Sequence, residues 1–193
     1  MTWSEGDWFA AGHESEQEGL YAYRVRGRGR GGVVLWIGGV DDTPDRVLAL
    51  PDGDRRRMPV FATAGQARRY AERRGRPLTY PEAATLELGR VQHWLADPVR
   101  RRVPAGAVLD AWNFFEDLAL GLAPDPLAAD RPWRSAAHDS AYEKLFGDER
   151  DTWTPEEQGA VRELLTDGVK LWNSCPVVVR PRAARATTDK TAG

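Results

Sequence analysis

The sequence predicts an α+β fold: an N-terminal antiparallel β-meander of about four strands packed against about four helices. Three observations predict it. Apolar alternation and β-branched runs punctuated by turn residues fill residues 20–62. Apolar residues at three- and four-residue steps dominate from residue 63 onward. Residues 107–122 are then so apolar that helical spacing leaves only a narrow polar strip, marking the central buried helix.

In chain order, residues 20–26 alternate Tyr21, Tyr23 and Val25 with Ala22, Arg24 and Arg26, the period of a strand. Residues 33–37 are a β-branched and aromatic run, so the Gly/Arg segment between makes a hairpin. Asp41-Asp42-Thr43-Pro44 and Pro51-Asp52-Gly53-Asp54 are turn chemistry around a third strand at 46–50, and a fourth is expected at 57–62. Thr63 with Gln66 forms a capping-box pattern for a helix that Gly75 ends. Its inner face is Ala67, Tyr70 and Ala71. A second helix is expected to open near Thr79-Tyr80-Pro81-Glu82, although residues 85–88 alternate as well as they step.

The central helix carries Val108, Ala111, Trp112, Phe115, Leu118, Ala119 and Leu122 on its apolar stripe. Asp110, Asn113 and Asp117 make the remaining strip, a structural polar network whose buried groups need partners or cost about 1–3 kcal/mol each. Gly121 and Pro124 stop this helix, and residues 124–133 form a loop. A short helix is expected over 140–146. Thr154-Pro155-Glu156-Glu157 opens a last helix running to about Asn173, with Val161, Leu164, Leu165 and Trp172 inward. Residues 177–179 suit an edge strand.

Length and 41% apolar content fit one domain over residues 20–180, with an acidic arm at 1–19 and a disordered tail at 181–193. One cysteine excludes an internal disulfide, and no Cys/His spacing suits zinc, so neither cofactor nor metal is expected. With no secretory leader pattern and no membrane-length apolar run, a cytoplasmic protein is expected. The net charge of −2 conceals segregation: residues 1–19 carry −5, 20–104 carry +8, 105–173 carry −8 and the remainder +3. Such blocks steer oppositely charged partners.

Several motifs have plain readings. Gly27-Arg28-Gly29-Arg30-Gly31-Gly32 precedes a strand, whereas a dinucleotide fingerprint must open a helix, so it reads as a hairpin of solvated arginines. His138-Asp139-Ser140 holds triad residue types, but triad members come from separate parts of a fold. His13 and His93 are isolated, and Cys175 before Pro176 reads as an inert thiol.

Trp112-Asn113-Phe114-Phe115-Glu116-Asp117-Leu118-Ala119, Tyr142-Glu143-Lys144-Leu145-Phe146 and Trp153-Thr154-Pro155-Glu156-Glu157, followed by Gly168 and Trp172, form an ordered series. Together they resemble blocks of the bacterial immunity proteins encoded beside contact-dependent growth-inhibition and related polymorphic toxins. The resemblance covers about residues 107–173. It implies a compact, non-catalytic protein that binds a cognate toxin domain and blocks it, with Trp112, Asn113, Asp117, Tyr142, Lys144 and Phe146 as fold determinants. An acidic surface suits the cationic site of a nuclease. Asp139, Glu143, Asp148, Glu149, Asp151, Glu156 and Glu157 are the expected contact face. Two other functions compete: a small-molecule enzyme with a pocket at Asp110/Asn113/Asp117 aided by His138, and nucleic-acid binding through the arginine-rich first half. A tightly packed strip favours the antitoxin, and a cleft with converging carboxylates and a perturbed pKa favours the enzyme.

Overall fold

The structure, a computed structural model, describes residues 18–99, 101–127, 129, 133, 135–147 and 152–178. The expected arm and tail therefore lie outside the described residues, apart from Glu18 and Gly19. Strands β1 (Gly19–Arg26) and β2 (Gly32–Gly38) pair as an antiparallel hairpin, with Leu20 opposite Ile37 and Tyr23 opposite Val34. Gly29 takes the left-handed conformation, at φ 87°, that the turn requires. Leu20, Ala22, Val33, Leu35 and Ile37 pack on one face with helix α1 (Ala64–Arg73), whereas Tyr23, Val25, Val34 and Trp36 join the larger core on the other. Both faces are covered, so β2 is an almost unbroken apolar run.

The α+β architecture agrees with the sequence, but the sheets are more elaborate than a meander. The expected third strand divides at Leu48 and Ala49, both buried, between two sheets. Its first part, β3 (Arg46–Val47), pairs with β2; its second, β4 (Leu50–Asp52), pairs with β5 (Arg55–Val60). Arg56 holds this corner, its guanidinium donating to the carbonyls of Ala49 (2.7 Å) and Gly121 (3.0 Å). Reciprocal backbone bonds between Val33 and Phe61, at 2.7 and 2.8 Å, join β2 to the segment after β5.

No helix begins at Thr79. Its N–H donates to Leu20 O and its hydroxyl accepts from Leu20 N–H, so the residue serves the edge of β1 instead of a cap. The ambiguous stretch becomes β6 (Ala84–Glu87), parallel to β1, and helix α2 (Leu88–Leu95) follows at once. The first sheet is thus ordered β3-β2-β1-β6, and the second β4-β5-β7, where β7 (Pro176–Val178) lies parallel to β5.

Helix α3 (Ala105–Leu122) is the central helix, with Val108, Ala111, Phe114, Phe115 and Leu118 fully enclosed. Helix α4 (Ala136–Phe146) starts earlier than expected because the Ser135 hydroxyl caps it by accepting from His138 N–H. Helix α5 (Pro155–Ser174) has the complete capping box at Thr154 and Glu157. Gly168 is where α5 meets α3: a Cβ there would stand 2.2 Å from the Phe115 ring.

The Gly/Arg turn is a loop of solvated arginines only in part: the Arg28 side chain is exposed, but its backbone and the Arg30 side chain are held. Gln92 accepts from the Arg28 N–H (2.6 Å) and donates to its carbonyl (3.2 Å). Arg30 donates to the carbonyls of Trp172 (2.7 Å) and Asn173 (2.9 Å), and the Trp172 indole donates to Arg30 O. This cation neutralises the exposed carbonyls at the end of α5.

Candidate functional site

Asp110, Asn113 and Asp117 share one side of α3, as their spacing requires, but the strip is not tightly packed. With Glu116 it forms one wall of an open cleft of about 1600 Å³. The first sheet supplies the opposite wall through Tyr21, Tyr23 and Trp36. The turn at residues 39–45, β6 and Tyr142 complete the lining.

The walls are held in shape by their own bonds. Tyr142 donates its hydroxyl to Asn113 Oδ1 at 3.2 Å, and the Trp112 indole donates to Glu116 Oε1 at 3.2 Å. Tyr23 and Trp36 pack with ring centroids 4.7 Å apart, and Trp36 rests on Phe114 at 5.9 Å. The turn is closed by Gly39 N–H donating to Asp45 Oδ1 (2.7 Å) and Thr43 N–H donating to Val40 O (3.0 Å). Only glycine fits position 39, because a Cβ would fall 1.8 Å from the Thr43 carbonyl oxygen. Asp41 takes a positive φ of 55°, a conformation aspartate tolerates better than most residues.

The cleft is acidic throughout. Asp41, Asp42, Asp45, Asp110, Glu116 and Asp117 line it, and the described lining residues include no lysine, arginine or histidine. Desolvation raises the Asp110 carboxyl above its ordinary value. Burial also raises the Tyr23 phenol, helped by the carboxylates of Asp45 and Asp110. Chemically, an acidic lining attracts positive charge. Among its described lining residues no nucleophile stands beside a base, the arrangement that covalent hydrolysis requires. Among the described residues, no three His, Cys, Asp or Glu side chains converge as metal ligands.

His138 does not join this cleft. It is buried in α4, its Nδ1 2.8 Å from the Ser135 hydroxyl, its ring edge-on to Trp112, and its Nε2 without a hydrogen-bond partner. Ser140 donates to Glu157 instead, so the His138-Asp139-Ser140 sequence does not converge.

Of the expected contact face, Asp139, Glu143 and Glu156 are exposed on α4 and the start of α5. Asp148, Glu149 and Asp151 lie outside the described residues. Glu157 is not on that surface: only 6% of it is exposed, and its carboxylate is occupied internally. It accepts from Ser140 Oγ (2.5 Å), from Lys144 Nζ at both oxygens (2.9 Å) and from Thr154 N–H (2.7 Å). The Ser140 bond first, then Lys144 and Thr154, hold this carboxyl at about 2, below its ordinary 4.5.

A depressed folded-state pKa stabilises fully above the unfolded value and is lost as the pH falls through the folded one. Thermal stability is therefore expected to decline as pH drops from about 4.5 to about 2, and less steeply in Glu157→Gln. Equal slopes for variant and wild type in melting experiments across that window would remove this role.

Residues the sequence alone did not bring to the site are Tyr21, Tyr23, Trp36, Glu116 and the aspartates at 41, 42 and 45. The aspartates carry a turn signature, which they also satisfy in the fold. Cys175 is half-buried after α5, its thiol pushed up by burial, in keeping with an inert thiol. Searches against family models, curated proteins and solved structures return no match to this chain.

Proposed function

We propose that the protein is an immunity-like antitoxin, a non-catalytic binder that neutralises a cognate toxin domain by shape and charge. What supports this reading is acidic charge and not the presence of a cleft, which by itself suits the enzyme reading: six carboxylates and no base stand among the described lining residues. Such a surface complements the cationic site that an enzyme acting on nucleic acid needs, and it speeds encounter at low salt. Asp139, Glu143 and Glu156 add exposed acids on α4 and at the start of α5. No described helix is long and apolar enough to cross a membrane, and the scarcity of cysteine suits the cytoplasm, where such a partner would be neutralised.

A second function, binding or converting a small molecule, is favoured by one observation: the strip opens onto a cleft, with a desolvated carboxyl at Asp110. In the arginine-rich first half, Arg30, Arg46, Arg56 and Arg76 bond internal carbonyls or Glu18, whereas Arg28, Arg55, Arg68 and Arg69 are exposed, so nucleic-acid binding stands as a third reading.

The test is co-purification from the native extract at low and moderate salt, followed by co-expression with the partner in a heterologous host. A stoichiometric partner with a basic catalytic domain, toxic alone and harmless with this protein, is the expected result. Its association rate should fall steeply with salt, and replacing Asp139, Glu143 and Glu156 with lysine should slow it about tenfold or more while the melting temperature holds. A retained small molecule with no protein partner would overturn the antitoxin in favour of the second reading.

A further inference from the structure

Two blocks of opposite charge meet at the start of the first sheet. We propose that the acidic arm of residues 1–17 docks on the arginine face of α1 and keeps polyanions such as nucleic acid off it. This inference stands apart from the antitoxin reading.

The residue from which the arm departs points to its destination. Glu18, the last acid before β1, has a side chain only 5% exposed. Its two carboxylate oxygens accept from the Arg46 guanidinium at 3.0 and 3.1 Å, and its carbonyl accepts from Arg76 at 3.4 Å. One acid of the N-terminal block is thus already seated on arginines, and Arg76 lies just past the end of α1.

Topology sets the arm beside this helix. Phe61, before α1, pairs with Val33 at the start of β2, and Arg76, after it, reaches Glu18 at the start of β1. The helix therefore runs back along the hairpin to the residue where the arm leaves. Its 10 residues span about 15 Å. The 17 residues of the arm reach about 55 Å when extended, so every turn of α1 is accessible to them.

Charge and chemistry match along that length. Residues 64–76 hold five arginines against one glutamate, and Arg68, Arg69 and Arg73 are exposed. Glu72 answers Arg68 at 3.9 Å, which leaves the face strongly positive. Residues 1–17 hold Glu5, Asp7, Glu14 and Glu16 with no lysine or arginine. A lone surface ion pair contributes little, but a tether holds several at high effective concentration. The arm also brings Trp3, Trp8 and Phe9, rings suited to guanidinium groups. Within α1, Arg74 already lies 3.7 Å from the centroid of the Tyr70 ring. The opposite face of the sheet suits the arm less, because Tyr21 and Tyr23 open there onto a cleft whose described lining supplies acids.

The experiment uses the full-length chain carrying a nitroxide on Gly6→Cys in a Cys175→Ser background. Paramagnetic broadening of the backbone amides is read at low and high salt. Expected is strong broadening confined to α1 at low salt, lost at high salt and lost in Arg68→Gln/Arg69→Gln/Arg73→Gln. These three sites are exposed, so the thermal transition of the triple variant should match that of wild type. In parallel, anisotropy of a labelled single-stranded oligonucleotide compares wild type with Glu5→Gln/Asp7→Asn/Glu14→Gln/Glu16→Gln. Neutralising the arm should tighten binding about tenfold or more, and adding the three arginine substitutions should abolish the gain.

Broadening spread evenly over the protein, or centred on another element, would overturn the docking. Equal oligonucleotide binding by the wild-type and neutral-arm chains would overturn the shielding. Tight binding by wild type through the same three arginines would make nucleic acid the occupant of this face in place of the arm. None of these failures touches the antitoxin reading, whose test follows association with a toxin.

Discussion

Trp112→Ala is expected to lower the stability of the fold by about 3–5 kcal/mol, the range for truncating a large aromatic in a closed core. The side chain is 2% exposed and sits where α3 meets α4, edge-on to Tyr142 at 5.5 Å and to His138 at 6.0 Å. Its indole N–H is also a donor to Glu116, itself buried, so the truncation removes a hydrogen bond as well as volume. Because Glu116 and Tyr142 line the cleft, the loss should reach its walls too. Chemical denaturation of the variant measures the first effect. A midpoint within error of wild type would show that α3 is not the centre of the fold.

The second large effect separates two glycines of one helix. Alanine raises helix propensity by about 1 kcal/mol over glycine wherever space allows. At Gly159 nothing lies within 4 Å of the added carbon, so Gly159→Ala should stabilise by up to about 1 kcal/mol. At Gly168 the added carbon would overlap the fully buried Phe115 ring, and overpacking of about 1–3 kcal/mol reverses the sign. Paired denaturation curves decide the matter. If both variants gain stability, the contact between α3 and α5 is looser than described.

These glycines illustrate which information a sequence carries locally. By composition both merely weaken a helix; only the partner across the interface distinguishes them. The central helix, the start of α5 and the inner face of α1 could be read in advance because periodicity and capping are encoded within a few neighbouring residues. The parallel strand β6 could not, since its pairing with β1 joins Tyr23 to Ala84 across an intervening helix. Thr79 carries a convincing cap signature, yet its two polar groups bond Leu20 instead. Tertiary pairing there overrides a local preference.

The candidate site shows the same division. The strip of Asp110, Asn113 and Asp117 could be read from helical spacing. Its counterpart on the sheet could not, because Tyr21, Tyr23 and Trp36 carry an ordinary strand signature and Asp41, Asp42 and Asp45 an ordinary turn signature. Glu157 was misplaced for a related reason: its capping role puts it near solvent in sequence terms, and Lys144 and Ser140 draw its carboxylate inward. Charge counted along a chain does not reveal which carboxylates face one another.

The pairing of Met58–Val60 with Pro176–Val178 has a consequence for how the protein is made. On the ribosome, β5 emerges early, while the strand that covers its edge is synthesised only after α5. Trp172, whose carbonyl anchors Arg30 of the first hairpin, comes near the end of α5. Until then the nascent chain carries an open strand edge, a template for wrong pairing with other chains. Order of synthesis and order of assembly therefore differ in this protein: the first hairpin acquires its final anchorage when the end of α5 arrives.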